Sequence, residues 1–188
     1  PRISKLEAQL VQLFASAAST QQAKTEAVRL RAQFEQFFSP QLAEELQHNP
    51  RMLEGGIQEV TILVSDLRGF SRLSERLGPK QTCELMRDVM DRFTEHILNE
   101  GGVIVDYAGD GILAMWNAPV AQPDHATRAC RAALAMTEEL PDLSEKWNAA
   151  AGGLLRVGIG INTGQAMVGN TGSSRRLKYG PHGNTVNV

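Results

Sequence analysis

The sequence predicts an α+β sandwich in which helices pack on a central, mainly antiparallel sheet, with a further helix ahead of it at the N-terminus. Three observations support this fold. Short apolar, β-branched runs and longer amphipathic segments follow in the order strand, helix, strand, strand, helix, strand. Glycine-containing turns at residues 108–111 and at Gly164 are short enough for antiparallel hairpins. Residues 1–37 contain no glycine, as is typical of a long helix.

The composition describes an ordinary globular protein. The chain has 188 residues, of which 42% are hydrophobic and 21% are charged, and its formal net charge is -2. Because there is no overall basic field, we expect neither a nucleic-acid partner nor contact with an acidic membrane surface. Cys83 and Cys130 lie in helical patterns. This position predicts reduced, half-buried thiols and a cytoplasmic location.

The first 50 residues are predicted to form a helical stalk, or coupling segment, ahead of a domain over residues 51–188. Apolar residues recur three and four positions apart at Ile3, Leu6, Leu10, Leu13 and Ala17. This heptad spacing fits either a parallel dimeric stalk or a lone helix that folds onto the body. Ser39 and Pro40 then predict the start of a short helix that runs through Leu46 and ends near Asn49.

The first half of the domain reads as strand and then helix. Residues 60–64 form a β-branched run typical of a buried central strand, and Ser65 and Asp66 come at its end. A helix start is predicted at Ser71 or Ser74, and Pro79 begins a long helix to about residue 99. Glycines at 101 and 102 end that helix.

The second half reads as a hairpin, a helix and a second hairpin. Residues 103–107 and 112–116 are predicted strands, joined by a turn that carries Asp110. One helix is predicted over residues 123–147. Residues 155–163 then form a strand that turns at Gly164 into its partner, residues 165–169. Residues 184–187 look like another strand, so we expect the chain to be a fragment with a C-terminally incomplete domain.

Asp66 and Asp110 are the most informative side chains. Each stands at the end of an apolar strand, where a carboxylate is costly unless it is solvated, paired or bound to a metal. If the two strands are neighbours, the carboxylates converge and suit Mg2+ or Mn2+, which take carboxylates together with phosphate oxygens. The alternative is a pair of turn aspartates that cap backbone amides. The four histidines lack the spacing of a zinc site.

The segment after Asp66 is a candidate for phosphate binding. It joins a strand to a predicted helix start, and backbone N–H groups at such a turn can hold phosphate oxygens. Its residues are Leu67, Arg68, Gly69, Phe70 and Ser71. No Gly-Lys-Ser/Thr follows, so this is not a P-loop.

Four ordered motifs together resemble one family. They cover residues 64–71, 101–116, 158–164 and 183–187, and they look like the class III adenylate/guanylate cyclase catalytic domain, with a match from about Ile57 to Val188. The segment around Phe37 and Pro40 is similar to the part that couples upstream sensor domains to this domain in bacterial cyclases.

The resemblance implies a ferredoxin-like α+β domain that works as a head-to-tail homodimer with shared active sites. Asp66 and Asp110, with the Leu67 carbonyl, would bind two divalent cations, Mg2+ or Mn2+. The ribose 3'-hydroxyl would attack the α-phosphate and release pyrophosphate. Asn187 of the opposite subunit would orient the ribose, and the family's transition-state arginine would come four residues later.

The purine-binding positions depart from the family's pattern. Asp106 stands where adenylate cyclases usually have Lys and guanylate cyclases usually have Glu, and Gly180 stands where Asp, Thr or Cys is usual. A carboxylate at Asp106 could serve guanine or adenine, or face solvent. We expect ATP as substrate and 3',5'-cyclic AMP as product in signal transduction, with GTP as the alternative. A non-catalytic dimerising or regulatory module is a further alternative.

Overall fold

A single antiparallel sheet forms the centre of the molecule. The structure, a computed structural model, describes Leu42, Glu45 and residues 48–172 and 178–187. A short 3-10 helix, Pro50–Glu54, leads into the sheet. The described strands are β1 (Gly56–Leu67), β2 (Val103–Ala108), β3 (Gly111–Trp116), β4 (Val157–Asn170) and β5 (Tyr179–His182). Their order across the sheet is β2-β3-β1-β4-β5, which confirms the predicted antiparallel architecture.

Three described helices follow the strands: α1 (Phe70–Asn99), α2 (His125–Glu138) and α3 (Leu140–Ala151). α1 breaks at Gly78, where φ is 70° and ψ is 170°, because the residue before Pro79 avoids helical backbone angles. The single helix predicted over 123–147 is wrong. Pro141 has no N–H with which to continue α2, so it begins α3 instead.

β4 is one continuous strand, so the second predicted hairpin is wrong. It pairs with β1 from Val157 opposite Leu67 to Val168 opposite Gly56, and Gly164 lies within this run opposite Val60. A Cβ atom on Gly164 would lie 2.9 Å from Thr185 Oγ1. The glycine therefore makes room for a neighbouring segment and does not form a turn.

Apolar clusters cover both faces of the sheet. On the helix side, α1, α2 and α3 pack against alternate residues of β1 and β3, among them Leu63, Ile112 and Trp116. On the opposite face, Leu42 is only 2% exposed and packs with Ile62 and its neighbours. Burial on both faces explains why the predicted central strand has no polar alternation.

The N-terminal predictions fall mostly on residues that the structure does not describe. The heptad segment 3–17 and residues 37–40 lie outside the described residues. Leu42, Glu45 and His48 are helical, at the end of the predicted short helix. Cys83 and Cys130 are free and lie on helices as predicted, but both are exposed, not half-buried. Among the described helices, none combines the length and the apolar character that a membrane span needs.

Candidate active site

The sheet brings Asp66 and Asp110 together. Ser65 of β1 pairs with Ile112 of β3, so the turn before β3 lies beside the end of β1. The Leu67 N–H donates a hydrogen bond of 3.1 Å to Asp110 Oδ2. A Cβ on Gly111 would lie 2.5 Å from the Ser65 carbonyl oxygen, so only glycine permits this close approach. The carboxylate of Asp110 is thus held against the backbone of the residue that follows Asp66.

Asp66 has an unsatisfied carboxylate oxygen. It lies within β1, one residue before the strand ends. Its Oδ1 atom is buried and has no hydrogen-bond partner, while Oδ2 lies 3.7 Å from the Arg68 guanidinium. A buried carboxylate oxygen without a partner is unfavourable. Such an oxygen suits a hard divalent cation, so the residues present fit Mg2+ or Mn2+.

The carboxylate pair offers few protein ligands to a cation. Within residues 48–172 and 178–187, no group of three or more His, Cys, Asp or Glu side chains is arranged to hold a metal ion. A site with only two protein carboxylates leaves coordination positions for water and for phosphate oxygens, which is the arrangement that Mg2+ accepts. The geometry therefore favours a substrate-completed site over a closed structural one.

The phosphate-binding candidates lie where β1 passes into α1. The Leu67 N–H is used by Asp110, and the Arg68 N–H donates to the Arg156 carbonyl at 2.8 Å. Gly69 has φ 75° and precedes the first residue of α1, and no side chain caps this end. The first-turn amides of a helix have no partner within the helix. Anion binding here would therefore use the turn from Gly69 to Ser71.

The two purine-binding candidates come from opposite edges of the sheet and still lie close together. A Cβ on Gly180 of β5 would lie 2.6 Å from Val105 Cγ1 of β2. Lys178, directly before β5, places its Nζ atom 2.6 Å from Asp106 Oδ2. The sheet therefore curves enough for its two edge strands to touch. We call Asp106, Lys178 and Gly180 the base rim.

A bulge in β2 turns Asp106 toward this contact. Ile104 pairs with Ala114 and Asp106 pairs with Leu113, so Val105 is the extra residue. Ile104 packs in the helix-side cluster, and the Tyr107 hydroxyl lies 2.8 Å from Thr94 Oγ1 of α1. Val105 and Asp106, which lie between Ile104 and Tyr107, face the side of the sheet away from the helices.

Tyr179 lies between Lys178 and Gly180 of the base rim, and its side chain is buried. It is 4% exposed in the apolar cluster opposite the helices. Burial raises the pKa of its hydroxyl to about 12, against a smaller lowering by a hydrogen bond with Gln58. The side chain is therefore neutral at physiological pH, and it fixes the start of β5 next to Gly180.

Asn187 is exposed and lies apart from the carboxylate pair. It follows a 3-10 helix, Asn184–Val186, so the strand predicted at 184–187 is wrong. Thr185 Oγ1 donates to the Gln165 carbonyl at 2.6 Å, and its own carbonyl accepts from Asn162 at 3.0 Å. Asn162 is four residues along β4 from Gly158, the partner of Asp66, which is a distance of about 13 Å.

Sequence reasoning missed the partner of Asp106. Lys178 is separated from Asp106 by 72 positions, and the two strands concerned are not neighbours in the sheet. No local pattern reports such a contact, because it depends on the curvature of the whole sheet. The available signal was the missing side chain at Gly180, with Lys178 two residues before it.

Comparisons with known proteins identify related sequences and structures. The family model described as "Adenylate and Guanylate cyclase catalytic domain" matches residues 53–188. Adenylate cyclase 1 of Rhizobium meliloti is 40% identical over 131 residues, which cover 70% of this chain and 20% of that protein. The chain thus spans about a fifth of the length of this relative.

Solved structures show the same fold. The guanylyl cyclase Cya2 superposes with a TM-score of 0.67 at 39% identity and covers 71% of this chain and 68% of its own. The adenylyl cyclase CyaB from P. aeruginosa superposes with a TM-score of 0.68 at 31% identity, covering 72% and 70%. The family model alone matches well over half of the sequence. The chain belongs to the class III adenylate and guanylate cyclase catalytic domain family.

Proposed function

We propose that the protein converts ATP to 3',5'-cyclic AMP and pyrophosphate. The observation that carries the proposal is the carboxylate pair, Asp66 and Asp110, with its buried, unpartnered oxygen in a cyclase catalytic domain. In this reaction the ribose 3'-oxygen forms a bond to the α-phosphorus, and the bond to the bridging oxygen of pyrophosphate breaks. The 3'-hydroxyl proton is released.

The carboxylate pair would hold two divalent cations, Mg2+ or Mn2+. When bound, they would supply charge that neutralises the triphosphate and lowers the pKa of the 3'-hydroxyl. The role of the protein is to fix the carboxylates. Asp66 is held by the central strand, and Asp110 is held by the Leu67 amide. The Leu67 carbonyl remains a predicted third ligand.

A homodimer with shared sites is part of the proposal. Within one chain, the segment that carries Asn187 is anchored about 13 Å along β4 from the partner of Asp66. No hydrogen bond or ion pair joins Asn187 to either carboxylate in the described part of the chain. A second copy related by a two-fold axis would present its own Asn187 to this chain's carboxylates and the reverse, which gives two equivalent sites.

ATP is the favoured substrate, and GTP is the second candidate. The relative named Adenylate cyclase 1 and the structure of adenylyl cyclase CyaB support ATP. The guanylyl cyclase Cya2 is 39% identical and supports GTP. Asp106 and Gly180 would line the base, and both depart from the family's usual residues at these positions.

Regulation by upstream segments is the third part of the proposal. The relative Adenylate cyclase 1 is about five times longer than the matched region. We propose that residues 1–50 couple a sensor domain to the catalytic domain in intracellular signal transduction, and that the protein works in the cytoplasm, where nucleoside triphosphates are available.

The deciding assay uses the full-length protein. It is incubated with ATP or GTP and Mn2+, and the products are resolved chromatographically. Cyclic AMP together with pyrophosphate supports the proposal. Cyclic GMP with pyrophosphate, and no cyclic AMP, supports the second candidate. If a folded, dimeric protein makes neither product, a non-catalytic module is favoured.

A further inference from the structure

The base rim includes the ammonium group of Lys178, which has no role in the proposed function as stated so far. Lys178 Nζ lies 2.6 Å from Asp106 Oδ2, and both side chains are partly exposed, at 39% and 47%. An exposed ion pair contributes little to stability, about 0–1 kcal/mol. Its position next to Gly180 and Val105 therefore calls for a reason other than folding.

The backbone of Lys178 is clamped on both sides. Asn170 Oδ1 accepts hydrogen bonds from the N–H groups of Lys178 and Gly172, at 3.1 Å and 3.0 Å. The Lys178 carbonyl accepts from the Thr171 N–H at 2.7 Å and from Thr171 Oγ1 at 3.0 Å. The point from which the lysine side chain starts is thus fixed, as a recognition residue requires.

Lys178 and Gly180 present the same side of the chain. Residues two apart on an extended segment line one face, and Gly180 lies against Val105 on the face where Lys178 reaches Asp106. Gly180 contributes no side chain to a ligand. The polar groups at the rim are therefore one ammonium, with three donors, and one carboxylate.

We propose that Lys178 is a specificity-determining residue that reads the purine together with Asp106 and favours adenine. One ammonium proton stays on Asp106 Oδ2, and a second is donated to adenine N1. Asp106 Oδ1 accepts from the 6-amino group. Guanine presents two adjacent donors, N1–H and the 2-amino group, which would call on both carboxylate oxygens, and Lys178 already engages one of them. This inference rests on the proposed cyclase function.

The test is the ratio of kcat/KM for ATP to that for GTP. For Lys178→Met we expect kcat/KM for ATP to fall about 10- to 100-fold, the value of a lost hydrogen bond to a charged group, while that for GTP is kept or rises, because Asp106 Oδ2 is released. The loss should lie mainly in KM, because a base contact is made before and during reaction alike. Lys80→Met, on the exposed surface of α1, is the matched control and should leave the ratio unchanged.

A second variant and a binding measurement complete the test. Lys178→Gln can still hydrogen-bond Asp106 and is the variant to use if Lys178→Met does not fold; it should lose part of the ATP preference. Equal losses for both nucleotides, or an unchanged ratio, would overturn the assignment. If the wild-type protein makes no cyclic nucleotide, the proposed function fails. The inference is then decided by equilibrium binding of ATP and GTP with Mn2+: a preference for ATP that Lys178→Met abolishes supports it, and an equal response contradicts it.

Discussion

The two aspartate sites of this domain differ in how their charge is satisfied. Asp66 lies in the central strand, and one of its oxygens is buried without a partner. Asp106 lies in an edge strand, and it already bonds a lysine from the far edge. Arg68 lies 3.7 Å from the other oxygen of Asp66, whereas Lys178 lies 2.6 Å from Asp106. We therefore expect the two aspartates to differ in role, the first toward a metal and the second toward a neutral base.

The largest effect is expected at the unsatisfied carboxylates. Asp66→Ala and Asp110→Ala should each lower divalent-dependent turnover of the full-length protein by at least about 10²- to 10³-fold, because each removes charge that organises the triphosphate. Circular dichroism should show an intact fold. Turnover retained in either variant, with unchanged Mn2+ dependence, would contradict the metal assignment.

The next effect tests whether the sites combine residues from two chains. Asp66→Ala and Asn187→Ala protomers should each be inactive alone. Mixed in equal amounts, half of the dimers are mixed and each keeps one intact site, so about a quarter of wild-type activity should return. If labelled protomers exchange and no activity appears, the shared-site proposal is wrong.

A smaller effect separates the two aspartates without any assay of turnover. Saturating Mn2+ should stabilise the wild-type protein against unfolding by about 2.7 kcal/mol at a hundredfold excess over Kd. Asp66→Ala should lose this gain, whereas Asp106→Ala should keep it. Differential scanning calorimetry measures both. Equal loss in the two variants would erase the distinction between the sites.

The smallest effect is expected away from both sites, where α1 contacts the end of α2. The Arg92 guanidinium donates a hydrogen bond to Glu139 and lowers the pKa of that carboxyl below its usual 4.5. Burial of Glu139 raises the pKa by a smaller amount, and His96 adds to the lowering. A lowered folded-state pKa gives stability that is present above the usual value and is lost as pH falls through the folded value.

Arg92→Met should therefore cost about 1 kcal/mol or less near neutral pH. Its difference from wild type should shrink as the pH falls through the lowered pKa of Glu139. Arg87→Met, on the exposed surface of the same helix, is the matched control. Thermal unfolding as a function of pH measures the difference, and a gap that widens in acid would reverse the assigned sign.

The sequence predicted features that depend on neighbouring residues and missed those that depend on distant ones. The apolar run before Asp66 and the turn at Asp110 are local, and the pairing of β1 with β3 brings them together as expected. Gly164 resembled a turn because glycine permits one, but the packing of Thr185 decides its role. The helix start predicted at Pro79 matches the helix break at Gly78, whereas the start of α3 at Pro141 was missed, because the apolar pattern continues across that proline.

The extra residue in β2 carries a consequence for how substrate choice could drift. Ile104 and Asp106 pair with consecutive residues of β3 and so face opposite sides of the sheet; deletion of Val105 would therefore restore a regular strand and leave Asp106 on its present side, near Lys178. The deletion would remove the side chain that lies against Gly180 of the opposite edge strand. A single-codon deletion at this bulge is therefore expected to keep both charged groups of the base rim and to change the apolar contact beside them.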